Sequence, residues 1–109
     1  MYPTDKELGR TLLYNRCSPE DIERALELIG SFPVGPTMAP VTYTAYREIP
    51  STYIVTENDK ALSPTAQERM IAEGEGVFDV VRTQEGHSPF LSNPDLMVEI
   101  IRRAAGEQI

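Results

Sequence analysis

The sequence has 109 residues, room for one domain with a modest core, and its 40% hydrophobic and 25% charged content is ordinary for a folded chain. A formal net charge of −7 argues against a nucleic-acid partner or an acidic membrane surface, since both are met with basic patches. One cysteine excludes an internal disulfide, one histidine with it argues against a zinc set, and no apolar run is long enough to span a bilayer.

The first residues, Met1-Tyr2-Pro3-Thr4-Asp5-Lys6-Glu7, lack the basic start and apolar centre of a signal peptide. Together with the lone thiol this is the pattern of a cytoplasmic protein. Residues 6–14 carry Leu8, Leu12 and Leu13 at spacings that suit a short amphipathic helix. Ser18-Pro19-Glu20-Asp21 then opens a clearer one, with a capping hydroxyl, a proline in the first turn and acids at the positive end of the dipole. Ile22, Ala25, Leu26 and Ile29 give its apolar stripe, and Gly30 is placed to close it. Residues 31–40 hold three prolines and a glycine, which makes them a loop. Residues 40–46 are short enough to be either strand-like or an entry turn.

The centre of the chain is more regular. Thr52-Tyr53-Ile54-Val55-Thr56 and Val77-Phe78-Asp79-Val80-Val81-Arg82 are β-branched and aromatic runs that predict two buried strands. Between them residues 63–73 predict a helix, capped by Ser63, entered through Pro64 and ended at Gly74. Strand, helix, strand with connections this short predicts a right-handed βαβ unit with parallel strands. Both strands then end on one edge of the sheet, where loops build sites. Asp59 lies three residues beyond the first strand and His87 five beyond the second. Neighbouring strands are about 4.8 Å apart, so the carboxylate and the imidazole come within reach of each other. An aspartate so placed holds a histidine in one tautomer and stabilises the imidazolium formed when it takes a proton. A last helix follows: Asn93 caps it, Pro94 and Asp95 suit its first turn, Arg102 and Arg103 its last, and Gly106 stops it.

Residues 49–59, then Gln67 and Met70, then Gly86-His87-Ser88-Pro89-Phe90-Leu91-Ser92, resemble the C-terminal half of an α/β-hydrolase. The likeness is to the esterase and hydroxynitrile-lyase-like branch, particularly its fungal members. The upstream run Tyr14-Asn15-Arg16-Cys17-Ser18-Pro19-Glu20-Asp21 resembles the cap region of the same family. The resemblance implies an α/β class, with residues 1–48 as cap and residues 49–109 as the C-terminal part of the core. It implies Asp59 and His87 as the acid and base of a triad, acting without a cofactor or metal on a small hydrophobic ester. It also makes Phe32, Val34 and Met38, on the segment from cap to core, candidates for the pocket wall; pinning against the core explains them equally well.

The family places its nucleophile on a Gly-x-Ser-x-Gly elbow ahead of the acid. These residues contain no such pentapeptide, nor the oxyanion-hole segment the family carries earlier still. The expectation is therefore a truncated hydrolase that holds two triad members and needs a nucleophile-bearing N-terminal half to complete the site, and whose open sheet edge favours self-association. Cys17 has no elbow around it, and Ser88 is too close to His87 in sequence to serve it as a triad hydroxyl. Two other readings stay open: a non-catalytic module that binds a small molecule or a protein through its sheet edge, and a remnant without function.

Overall fold

The computed structural model describes residues 6–31 and 33–109. Its first helix, α1 (Lys6–Leu8), runs directly into a π-helical turn over Gly9–Leu13. Helix α2 (Pro19–Leu28) follows, then the short α3 (Gly35–Met38) and a 3-10 turn at Ala45–Arg47. The sheet has two strands, β1 (Ser51–Thr56) and β2 (Phe78–Thr83), joined through α4 (Pro64–Glu73). The one-turn α5 (Pro89–Ser92) and the final α6 (Pro94–Ala104) complete the described chain.

The strands pair in parallel, with Ser51 opposite Phe78 and Thr56 opposite Thr83. This is the α/β arrangement that the periodicity predicted, and its helix starts rest on the expected chemistry. Ser18 Oγ accepts the N–H of Asp21 at 3.2 Å, Ser63 Oγ that of Ala66 at 3.2 Å, and Asn93 Oδ1 that of Leu96 at 3.3 Å. Each cap satisfies one of the first-turn donors a helix leaves without an internal partner.

Three local details differ from the sequence expectation or decide what it left open. Helix α2 stops at Leu28 rather than running to Gly30, because Ile29 already takes an extended conformation at ψ 135°. Residues 40–44 form no strand and meet no partner strand, and the segment turns instead at Ala45–Arg47. The loop over residues 31–40 contains a turn of helix after Val34, whose carbonyl accepts both the N–H of Thr37 at 3.0 Å and its hydroxyl at 2.6 Å.

Among the described residues the apolar core is small: Val55, Leu26, Ile100 and Cys17 are its buried members. The buried polar residues Thr56, Asp59, Gln67, Thr83 and Ser88 cluster at the ends of the two strands and on the elements that cover them. At the opposite end of the sheet Phe78 is held between Tyr46 (centroids 5.0 Å apart) and Tyr53 (5.8 Å, edge to face). Phe78 also lies under the turn that ends α4. A Cβ at Gly74 would come within 2.7 Å of the Phe78 ring and 3.2 Å of the Ile71 carbonyl. With both tyrosines against it, the ring has little freedom to retreat. Gly74→Ala is therefore expected to destabilise the chain by about 1–3 kcal/mol through overpacking, although its backbone angles suit alanine. Urea unfolding checks this: an unchanged midpoint would show that the ring moves aside freely.

Candidate active site

The two loops beyond the strands keep the parallel pairing going after the strands end. Glu57 N–H donates to the Thr83 carbonyl at 2.9 Å and Asn58 N–H to the Glu85 carbonyl at 3.1 Å. Asp59 and His87 are thereby carried side by side. His87 Nδ1 lies 3.1 Å from Asp59 Oδ1 and 3.0 Å from Oδ2. The juxtaposition predicted from the two strand ends is therefore present.

The carboxylate sits in a dense set of donors. Ala61 and Leu62 N–H both donate to Asp59 Oδ1 at 2.8 Å, and Thr56 Oγ1 donates to Oδ2 at 2.9 Å. The Asp59 side chain is only 4% exposed, whereas that of His87 is 37% exposed. Burial pushes the Asp59 carboxyl up, but the bonds from Leu62, His87, Thr56 and Ala61 together outweigh it and hold it below the usual carboxylate range. An ionised carboxylate accepts and cannot donate, so in the neutral imidazole the proton facing Asp59 is on Nδ1 and Nε2 keeps its lone pair. That is the tautomer a general base requires.

Helix α4 fixes the acid loop from behind through Gln67, which is 1% exposed. Its Oε1 accepts the Thr56 N–H at 3.0 Å, and its Nε2 donates to the Thr56 carbonyl at 3.0 Å and the Leu62 carbonyl at 2.9 Å. Successive strand residues point to opposite edges, and Glu57 N–H points at β2. The Gln67 amide thus serves Thr56 on the edge that has no strand, as a neighbouring peptide group would. The His loop is tied on its far side, where Ser92 Oγ donates to Glu85 Oε1 at 2.7 Å and Asn93 Nδ2 to Glu85 Oε2 at 3.4 Å.

Ser88 and Cys17, the two residues that invite a nucleophilic reading, are both otherwise engaged. Ser88 Oγ donates to the Leu13 carbonyl at 2.7 Å and is buried. Cys17 Sγ lies 3.9 Å from the Ser88 carbonyl. Burial pushes its thiol up, and the carboxylates of Asp21 and Glu85 push it further, the reverse of what an attacking thiolate needs. Among the described residues no group of three His, Cys, Asp or Glu is placed to hold a metal ion.

A cavity of about 550 Å³ opens beside the pair. His87 and Ser88 form part of its wall, with Leu13, Ala25, Leu28, Ile29, Phe90 and Leu91 as its apolar lining and Asp21, Arg24 and Tyr14 as its polar members. Val34 and Met38, expected on the pocket wall, do not line it, and Met38 is 78% exposed. They lie on the loop and α3 that carry the chain away from α2. Phe32 lies outside the described residues. The apolar wall comes instead from α2, from Leu13 ahead of it and from the one-turn α5 behind His87. Ser88-Pro89 was a signal for that turn, since proline suits a first helical position.

Residues 3–100 match the model of the alpha/beta hydrolase family. The chain is 50% identical over 105 residues to the alpha/beta hydrolase nvfD of Aspergillus novofumigatus, an alignment covering 96% of this chain and 42% of that protein. It is 35% and 30% identical to two Arabidopsis thaliana proteins designated chloroplastic and named as candidate methylesterases 14 and 12; each alignment covers 93% of this chain and 30% of the relative. The chain thus spans less than half the length of the relatives it matches. No helix among the described residues is long and apolar enough to cross a membrane.

Two outcomes test the site as built. Gln67→Leu keeps the volume but leaves the Thr56 N–H and carbonyl unserved, and is expected to cost about 1–3 kcal/mol in urea unfolding. Because the Asp59 carboxyl is held below its ordinary value, roughly 3.9 in an unfolded chain, its contribution to stability is full above that pH. It is lost as the pH falls through the folded value. Unfolding midpoints measured from pH 6 down to pH 2 should fall more steeply in this chain than in Asp59→Asn, and parallel curves would show that the carboxylate carries no such linkage.

Proposed function

The chain belongs to the alpha/beta hydrolase family, and we propose that it supplies the acid and the general base of a serine-esterase site, His87 acting on the proton and Asp59 orienting it. The observation that carries this reading is His87 Nδ1 at 3.0 Å from a carboxylate that is buried and held by three further donors, beside an apolar cavity. In this reading residues 1–48 belong to the cap and residues 49–109 to the core. The single cysteine, with no partner in these residues for a disulfide, supports a cytoplasmic setting. The names of the two Arabidopsis relatives favour a carboxylic methyl ester as the bond cleaved.

The hydroxyl nucleophile comes from outside these 109 residues, from a hydrolase N-terminal half that docks at the sheet edge β1 leaves open. His87 Nε2 takes the hydroxyl proton as oxygen attacks the ester carbonyl, and Asp59 stabilises the imidazolium. The same proton then goes to the leaving alkoxide, which departs as alcohol. Water enters, gives a proton to Nε2 as it attacks the acyl group, and the acid is released with the hydroxyl restored. The apolar cavity beside His87 receives the non-reacting part of the ester.

Turnover of p-nitrophenyl acetate and of a methyl ester tests this, with a serine-directed covalent probe alongside. The 109-residue chain alone is expected to show no stoichiometric labelling and only weak hydrolysis, since loss of a single oxyanion donor already costs about a hundredfold to a thousandfold. Adding a separately made N-terminal half of an alpha/beta hydrolase should restore turnover, and His87→Ala in this chain should remove it. Turnover in the assembled form that survives His87→Ala would overturn the reading. Labelling of the chain alone would point to a nucleophile within it.

A further inference from the structure

A third segment, remote in sequence from both catalytic loops, reaches between them. Residues 14–17 make a tight turn closed by Cys17 N–H to the Tyr14 carbonyl at 3.2 Å, with Arg16 at φ 71°. Such a positive φ is unfavourable for a side chain of this size, and it persists only where the surroundings require it. The turn presents Asn15. Its Nδ2 donates to the carbonyl of Asn58, the residue before Asp59, at 2.6 Å. Its Oδ1 accepts the backbone N–H of His87 at 3.4 Å. One amide thus touches the main chain beside the acid and the main chain of the base.

The fit on the His side leaves no slack. A Cβ at position 86 would fall 2.5 Å from Asn15 Oδ1 and 2.7 Å from the Asn15 carbonyl, so Gly86 is what lets the turn approach. On either side of Asn15 the turn is fastened by Ser88 Oγ to the Leu13 carbonyl at 2.7 Å and by Cys17 to the Ser88 carbonyl. The β1–β2 ladder fixes how the loops start, but beyond Asn58 and Glu85 no ladder bond joins them. From there to the Asp59–His87 contact, the amide of Asn15 is a bridge of fixed length.

We propose that Asn15 is a positioning residue for the Asp59–His87 pair, setting the separation of the two loops so that the Asp59 carboxylate meets His87 Nδ1–H. It touches neither substrate nor the transferred proton; it acts through the backbone at Asn58 and His87. The inference deepens the esterase reading, because it concerns the same pair, but its test reads the pair and not the reaction.

His87 is the only histidine in the chain, so its ring can be observed alone. The experiment is 15N and proton NMR of the full 109-residue chain and of Asn15→Ala and Asn15→Asp. In the parent, the Nδ1 proton should give a hydrogen-bonded far-downfield signal, and the ring nitrogens should report one tautomer. In Asn15→Ala that signal should be lost and the nitrogens should move toward a mixture of tautomers, while amide shifts of residues 51–56 and 78–83 hold. Asn15→Asp keeps an acceptor for the His87 N–H but loses the donor to Asn58 and adds a charge, and it should also lose the signal. A folded Asn15→Ala that retains the Nδ1 proton and tautomer overturns the proposal. So does loss of folding in both variants, which would make Asn15 a structural tie only. An absent ester activity would not touch this outcome, and an unperturbed His87 would leave the esterase reading standing.

Discussion

A charge removed from water must be answered by donors, and the Asp59 carboxylate is the group in this chain that most demands them. The surrounding structure can be followed outward from that requirement. Two donors come from the backbone immediately after it, at Ala61 and Leu62, so the acid loop curls around its own side chain. A third comes from the last residue of β1, Thr56, which anchors the loop to the strand that carries it. The fourth is His87, supplied by the other strand. Only the parallel pairing makes that last contact possible, because antiparallel strands would end on opposite edges.

The same demand explains why so much polarity is buried in so small a protein. Gln67 and Thr56 bond to each other and to the backbone, and no buried side-chain nitrogen or oxygen among the described residues is left without a partner. A polar network of this kind stabilises only when complete, since in a low dielectric each unserved group costs more than it would at the surface. Completeness here comes from four separate places in the chain: residues 13–17, the acid loop, α4 and the His loop. The exposed ion pairs add little by comparison. Arg82 with Glu68 and Arg103 with Glu99 are half open to solvent, where such pairs are worth about 0–1 kcal/mol.

What the sequence alone made legible was what depends on neighbours along the chain. The helix starts at Ser18, Ser63 and Asn93 were visible because a cap and its proline are adjacent residues. The strands were visible because β-branched runs are contiguous, and the meeting of Asp59 with His87 followed from short connections in a parallel unit. Asn15 and Gln67 were not read as parts of the site, because nothing local distinguishes an amide that spans two loops from one that faces water. The role of Asn15 appears only when residues 43 and 72 positions apart along the chain are brought together, and that of Gln67 only when α4 is folded back on the end of β1, 11 positions away. The glycine before His87 was the nearest hint, since a missing side chain there implies that something else occupies its place. Val34 and Met38 failed as cavity lining for a related reason: an apolar residue in a proline-rich loop has no periodicity to say which way it faces.

The sequence separations themselves carry a consequence for how the molecule breathes. The contact between Asp59 and His87 closes a loop of 28 residues, whereas that between Asn15 and His87 closes one of 72. By loop-closure entropy the longer span costs about 0.8 kcal/mol more to hold shut. The short loop also has the strand ladder to share its cost, while the long one has only a few bonds at its tip. The turn at residues 14–17 is therefore the part expected to lift away first, freeing the Asp59–His87 pair while the strand ladder stays closed. Amide exchange at Cys17 and His87 is expected to sample that partial release before global unfolding.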